Sequence, residues 1–393
     1  MEAFLADWVN LLLRWAHMVV GIGWIGTSFY FMALDYSLGR NERLNPGVLG
    51  TAWQVHGGGF YHVEKYTVAP ATLPPVLHWF RWEAYLTWVT GFGLLIVQYY
   101  VHATAFLIDP TVLPLEPWQA IGISLVALLA GWLIYDGLCR AMGDRVVPLA
   151  LAVFALILIA TVVFTKMFSG RGAFVHIGAF VGTIMAVNVF AVIIPAQKKM
   201  IAQMIRGENP DPRYGAIGKQ RSVHNNYLTL PVLLMMVSQH YPFLFGHPQS
   251  WLVVALILVC GGLVRHALNR VDAGDDWNKY GWSLPVAAVA LLAVIFVTAP
   301  QTRTISTGPA VADAEALAIA QRHCMSCHAK NPSHPAFAQP PKNVVLETVA
   351  DLKRYGEPIA LQTVQNRSMP LGNQTGMTDD ERDKLGRWLN AHK

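Results

Sequence analysis

Cys324-Met325-Ser326-Cys327-His328 is the densest piece of chemistry in the chain. Two thiols separated by two residues and followed at once by a histidine form the CxxCH pattern of covalent haem attachment. One helical turn sets the thiols where they form thioethers with the haem vinyl groups, and the imidazole of His328 becomes the proximal iron ligand. A bare CxxC also serves as a zinc clamp or a redox pair. No second CxxC follows, and the remaining cysteines, Cys139 and Cys260, fall in apolar segments, which favours one haem c. A low-spin electron carrier needs a sixth ligand, and thioether sulfur raises its potential. Met369, in RSMPLGN 41 residues beyond His328, precedes a final amphipathic stretch, TDDERDKLGRWLNAH; Met377 and His334 are its competitors.

The other chemistry-bearing residues lie in apolar surroundings. His17 and His176 sit near small residues (Gly21, Gly23, Gly178, Gly182) that admit a flat macrocycle or a close neighbouring helix. A haem b ligated from within the bundle is one reading; imidazoles hydrogen-bonded to carbonyls between packed helices are the other. His240 and His102 lie toward the same end. TAWQVHGGGFYHVEKYTVAP alternates aromatic and polar residues around Gly57-Gly58-Gly59, the pattern of a hairpin. Trp53, His56, Tyr61, His62, Glu64, Lys65 and Tyr66 on it suit a planar, anionic, heteroaromatic substrate, or else an interfacial belt of aromatics with snorkelling cations. Glu83, Asp136, His224, Asn225, Asn226 and His266 gather toward the same face and offer acid/base groups. The candidate catalytic residues are His56, His62, Lys65 and Glu83.

Positioning these groups requires elements that fit the composition. The chain has 393 residues, 54% hydrophobic and 13% charged, which excludes a disordered chain and fits a simple soluble globule poorly. Its net charge of +5 is too thinly spread to suggest nucleic acid. Charge density about doubles after residue 300, where a Thr, Ser, Gly, Pro and Ala-rich linker (301–312) leads into a charged tail (313–393). Before it, eight stretches reach the about 20 apolar residues that a bilayer core demands: about 5–34, 83–101, 118–138, 147–166, 173–196, 226–244, 250–268 and 283–299. The first has no short cleavable form and reads as a retained span.

Fifteen basic residues, Arg40, Arg43, Lys65, Arg81, Arg140, Arg145, Lys198, Lys199, Arg206, Arg213, Lys219, Arg221, Arg265, Arg270 and Lys279, fall in connections after odd spans; Lys166 and Arg171 alone fall opposite. The positive-inside rule then puts the N-terminus and the tail outside, in the periplasm of a bacterium. The halves echo each other: HMVVGIGWIGTSFYF from His17 aligns with HIGAFVGTIMAVNVF from His176, and GWLIYDGLCR with GGLVRHALNR. The expected architecture is all-α, an eight-helix transmembrane bundle (1–300) built as a parallel 4+4 duplication, with a small class I cytochrome c domain in the tail.

The motifs WAHMVVGIGWIGTSFYF, WQVHGGGFYHVEKY and WFRWEAYLTWVTGFGLL, followed by CxxCH and MPLGN, resemble the membrane-bound bacterial urate oxidase (urate hydroxylase) family over essentially the whole chain. The resemblance implies an inner-membrane enzyme that converts urate to 5-hydroxyisourate. Electrons would pass through the cytochrome domain to a soluble or membrane cytochrome c or terminal oxidase of the respiratory chain, without hydrogen peroxide. Span one is also similar to the first helix of membrane protoporphyrinogen oxidases, which implies haem b on His17. Neither resemblance assigns a residue of a urate site. The competing class is a transporter or quinol-linked anchor whose tail is a tethered electron carrier.

Overall fold

The computed structural model describes residues 2–39, 44–70, 72–299 and 308–392. Arg40, Arg43 and linker residues 301–307 lie outside these. Lipid offers no partner for a backbone N–H or C=O, so apolar runs of this length satisfy themselves as helices. They do so here as α1 Glu2–Ser37, α2 Trp82–Leu95, α3 Pro117–Met142, α4 Val146–Met167, α5 Gly170–Val187, α6 Pro212–Val237, α7 Ser250–Asp272 and α8 Ser283–Val297. A π turn Ile96–Tyr100 continues α2, and another, Asn188–Ile193, carries α5 into Ile194–Ile205.

Six helices, Phe4–Ser37, Pro117–Met142, Val146–Met167, Gly170–Ile205, Ser250–Asp272 and Trp277–Val297, are long and apolar enough to cross a membrane. The expected spans two and six are helical but fall outside that set, because Glu83 with several Thr and Gly dilutes α2 and the first half of α6 is polar (PRYGAIGKQRSVHNN). Both pack on neighbouring helices, α2 on α1 and α6 on α5 and α7. Neighbour relations recur between the halves: α1 on α2 and α3 on α4, then α5 on α6 and α7 on α8. On α4, Ile157 is 1% exposed and Ile159, half a turn away, 62%, so one face meets the core and the opposite one is an exposed apolar surface.

The all-α expectation needs one amendment. Val48–His56 (β1) and Gly59–Tyr66 (β2) pair antiparallel, Trp53 opposite His62, with Gly57 and Gly58 at positive φ in the turn. The hairpin leans on α1, where the Tyr30 hydroxyl donates to Gln54 Oε1 at 2.8 Å.

The tail has its own hydrophobic core around Trp388, Leu385, Leu352 and Ile319. Its main helices are α9 Asp313–His323, α10 Val349–Arg354 and α11 Asp379–Ala391. Thr378 caps α11 in a reciprocal box with Glu381, which places that helix where the amphipathic pattern expects it.

Candidate functional site

A cavity of about 1240 Å³ lies between the tail and the ends of the bundle helices, and Cys324, Cys327, His328 and Met369 all line it. The last turn of α9 and the short helix Met325–His328 hold the motif. The Nδ1–H of His328 donates to the Val344 carbonyl at 2.9 Å; a carbonyl only accepts, so Nε2 is left with its lone pair. Met369 is held by its backbone: its N–H donates to the Gln362 carbonyl at 3.1 Å, and its own carbonyl accepts from Arg382 at 2.6 Å. Met377 is buried in the tail core and absent from the cavity wall. His334 lines the cavity, with its Nε2 3.1 Å from Gln374 Oε1. Burial pushes the Cys324 thiol up to about 12, with Cys327 beside it adding to the effect, and burial also raises Cys327. Reactive redox thiols have depressed values. Among the described residues no group of three or more His, Cys, Asp or Glu could hold a bare metal ion.

The other wall belongs to the bundle. Phe106, Phe168, Arg171, His240 and Phe245 face the same cavity. Phe106 meets Phe337 of the tail edge to face, ring centroids 6.2 Å apart. Gln374 donates to the Thr104 carbonyl. Gly372, at φ +56°, comes so near the Ile108 carbonyl that a Cβ would sit 2.6 Å from it. Lys166 and Arg171, the two basic residues opposite the other fifteen, both line this cavity, and Arg171 Nε is buried without a hydrogen-bond partner. A cavity of this size, with two thiols, an imidazole nitrogen and a thioether on one wall and two cations on the other, fits a carboxylate-bearing macrocycle.

Inside the bundle the two histidines differ. His176 is fully buried; its Nδ1–H donates to the Gly172 carbonyl and its Nε2 accepts from Ser124 Oγ, both at 2.7 Å. Tyr100 in turn donates to Ser124 Oγ at 2.7 Å. With both nitrogens engaged and the rings of Phe168 and Tyr99 against it, His176 does not fit a haem ligand. The Nδ1–H of His17 is shared between the Thr87 carbonyl at 3.0 Å and Thr90 Oγ1 at 3.1 Å, and its ring lies on Gly91, where a Cβ would be 2.8 Å away. Its Nε2 has no hydrogen bond among the described residues.

The candidate catalytic residues do not converge. Strand alternation puts His62 and Glu64 on one face of the hairpin and His56, Tyr61 and Lys65 on the other. His62 stacks on Trp53 at 4.4 Å. His56 and Tyr61 border a shallow pocket with Tyr30, Gln54 and Val55. Lys65 pairs with Asp35 at 2.5 Å. Glu83 is elsewhere, facing Gly23 of α1, with Oε2 buried and unpartnered.

Polar residues that do converge are buried between helices. Arg221, 2% exposed, is 2.6 Å from Asp136, which also accepts from Arg140. Beside them, Tyr135 is hydrogen-bonded to His224 Nδ1 at 2.7 Å and accepts from Asn188 Nδ2 at 3.0 Å; Asn188 Nδ2 also reaches Asn225 Oδ1. On the next face of α6, Asn226 Oδ1 accepts from Arg265 Nε at 3.0 Å and Asn269 Nδ2 at 2.8 Å. Sequence reasoning placed Arg221 and Arg265 among loop cations; the structure buries both inside helices. Arg221 with Asn225 and Arg265 with Asn269, each pair four residues apart, is the helical spacing that marks them.

The family profile described as Urate oxidase N-terminal matches residues 3–299. No curated protein and no solved structure matches the chain. The match spans the whole bundle and its hairpin, and the chain belongs to the urate oxidase N-terminal family.

Proposed function

We propose that the protein oxidises urate to 5-hydroxyisourate in a membrane-embedded bundle and delivers the electrons through a haem c in the tail. The observation that carries this reading is the cavity that CxxCH shares with the bundle of a urate oxidase-related family. The reaction balances without dioxygen: urate monoanion and water give 5-hydroxyisourate, one proton and two electrons. When bound, the haem would accept these electrons one at a time and pass them to a cytochrome c or terminal oxidase.

The chain's residues have definable tasks. Cys324 and Cys327 would anchor the macrocycle, and His328, oriented by its hydrogen bond to the Val344 carbonyl, would hold its iron. Met369, whose backbone is held by Gln362 and Arg382, would supply a thioether ligand. Lys166 and Arg171, on the bundle side of the cavity, would pair with the haem propionates. A haem b in the bundle would rest on His17, whose Nε2 has no hydrogen bond among the described residues. With α2 and α6 crossing beside the six apolar helices, eight spans would return the tail to the outer face of the inner membrane.

Anaerobic addition of urate to the full-length oxidised protein tests it: the reduced haem c band should appear, with two haems reduced per urate. Intact haem that urate fails to reduce removes the assignment.

A further inference from the structure

Arg265 is a charged side chain 3% exposed in a helix that is apolar enough to cross a membrane, and among the described residues it has no ion pair. Arg221, the other buried arginine of α6 and α7, is neutralised by Asp136. The Arg265 guanidinium stacks on Phe29 of α1 at 3.8 Å and donates through Nε to Asn226. Because Nε only donates, the Asn226 atom facing it is Oδ1; because that oxygen also takes Asn269, the donating atom there is Nδ2. Three buried polar atoms are left unpartnered at one place: Arg265 Nη2 and Asn226 Nδ2 as donors, Asn269 Oδ1 as acceptor. Asn226 and Asn269 are both fully buried. One turn earlier on the same face of α7, a Cβ on Gly262 would meet nothing within 4 Å.

A buried cation without a contact ion pair and a donor, donor, acceptor set is costly to fold unless something occupies it. We propose that Arg265, Asn226 and Asn269 bind the substrate as a planar oxopurine anion, its carbonyl oxygens accepting from Arg265 and Asn226 and a ring N–H donating to Asn269. This rests on the urate reading above and locates its substrate. It explains why the hairpin histidines and Lys65 do not converge: the recognition groups sit on α6 and α7.

Binding of radiolabelled urate to the full-length protein in lipid nanodiscs, with haem held reduced so that no turnover occurs, tests the site. Arg265→Gln should weaken binding at least about 30-fold, about 2 kcal/mol at 1.4 kcal/mol per decade. Asn269→Asp puts a carboxylate where the bound anion would sit, so it should weaken binding at least about 30-fold in folded protein that keeps its haem spectrum. It therefore decides the matter even where Arg265→Gln fails to fold. Arg206→Gln, which breaks an exposed pair with Glu208, should leave binding unchanged. Wild-type binding retained within about 3-fold in Asn269→Asp overturns the site and leaves the urate reading standing. Wild-type protein that neither binds urate nor is reduced by it overturns the urate reading itself.

Discussion

The Nδ1–H of His328 points at the Val344 carbonyl, 2.9 Å away. This one bond fixes the ring tautomer and leaves the Nε2 lone pair free, as the outer hydrogen bonds of metal-binding histidines do. Because the acceptor is backbone, the orientation depends on the segment after the motif as well as on CxxCH, and that segment shares the cavity with Met369.

Met369→Ala should lower the haem c potential by on the order of 100 mV, within the about 0.8 V over which axial ligands tune haem. Met377→Ala removes a buried side chain from the tail core instead, and should cost about 2–5 kcal/mol of stability with the potential unchanged. Redox titration and thermal unfolding of both variants separate the roles. A normal potential in Met369→Ala would move the sixth ligand elsewhere.

Docking of tail on bundle should be separable from haem attachment. Gly372 combines positive φ with contact to the Ile108 carbonyl, so Gly372→Val strains the backbone by more than about 1 kcal/mol and pushes the two parts apart. Its haem spectrum should match wild type, while urate-driven reduction of the haem slows in stopped flow. An unchanged rate would show that the Phe106–Phe337 wall is not the transfer interface.

The bundle histidines should behave differently when haem types are counted by their pyridine haemochrome spectra. His176→Ala should leave the spectrum as in wild type, since both its nitrogens are already engaged. Any b-type band should vanish in His17→Ala. A b band lost only in His176→Ala would contradict the hydrogen-bonding pattern described above.

Glu381 gives the tail a defined acid limit. Burial alone would raise its pKa, but the Thr378 N–H and hydroxyl and the nearby His323 hold it down to about 2. A carboxylate lowered in the folded state stabilises above its unfolded value near 4.5 and loses that contribution as pH falls toward 2. After solvent screening the contribution is about 1 kcal/mol. Glu381→Gln should therefore be less stable than wild type from pH 8 to about 5, with the difference closing between pH 4.5 and 2. A gap that widens with acid would reverse the sign and refute the assignment.

What could be read from residues alone was what is local. CxxCH, the hairpin around Gly57-Gly58-Gly59, the capped last helix and the six long apolar helices follow from spacing and composition. The faces of the hairpin were also readable, since His62 and Lys65, three apart on a strand, must point oppositely. What stayed hidden was tertiary. A cation near the end of an apolar stretch looks like a topological marker, and only the packing of α3, α6 and α7 shows Arg221 and Arg265 turned inward. The equivalence suggested for His17 and His176 likewise depended on neighbours: Ser124 of α3 closes one, while Gly91 of α2 leaves the other with a free nitrogen.

The Asp136–Arg221 pair is the sharpest test of that hidden part. Both side chains are buried, 2.6 Å apart, and Asp136 joins α3 to α6. Asp136→Ala strands a guanidinium whose Nε and Nη1 already have no partner, so the loss should be about 3–5 kcal/mol. Replacing both ends by apolar residues, Asp136→Leu with Arg221→Met, removes two desolvated charges together and should recover most of that loss. If the pair only holds helices, the double variant will unfold near the wild-type temperature, retain urate binding and lose little of the urate-driven haem reduction. A stable double variant that no longer binds urate would instead mean that the anion contacts extend across α6 to Arg221, and the recognition site would have to be enlarged to include it.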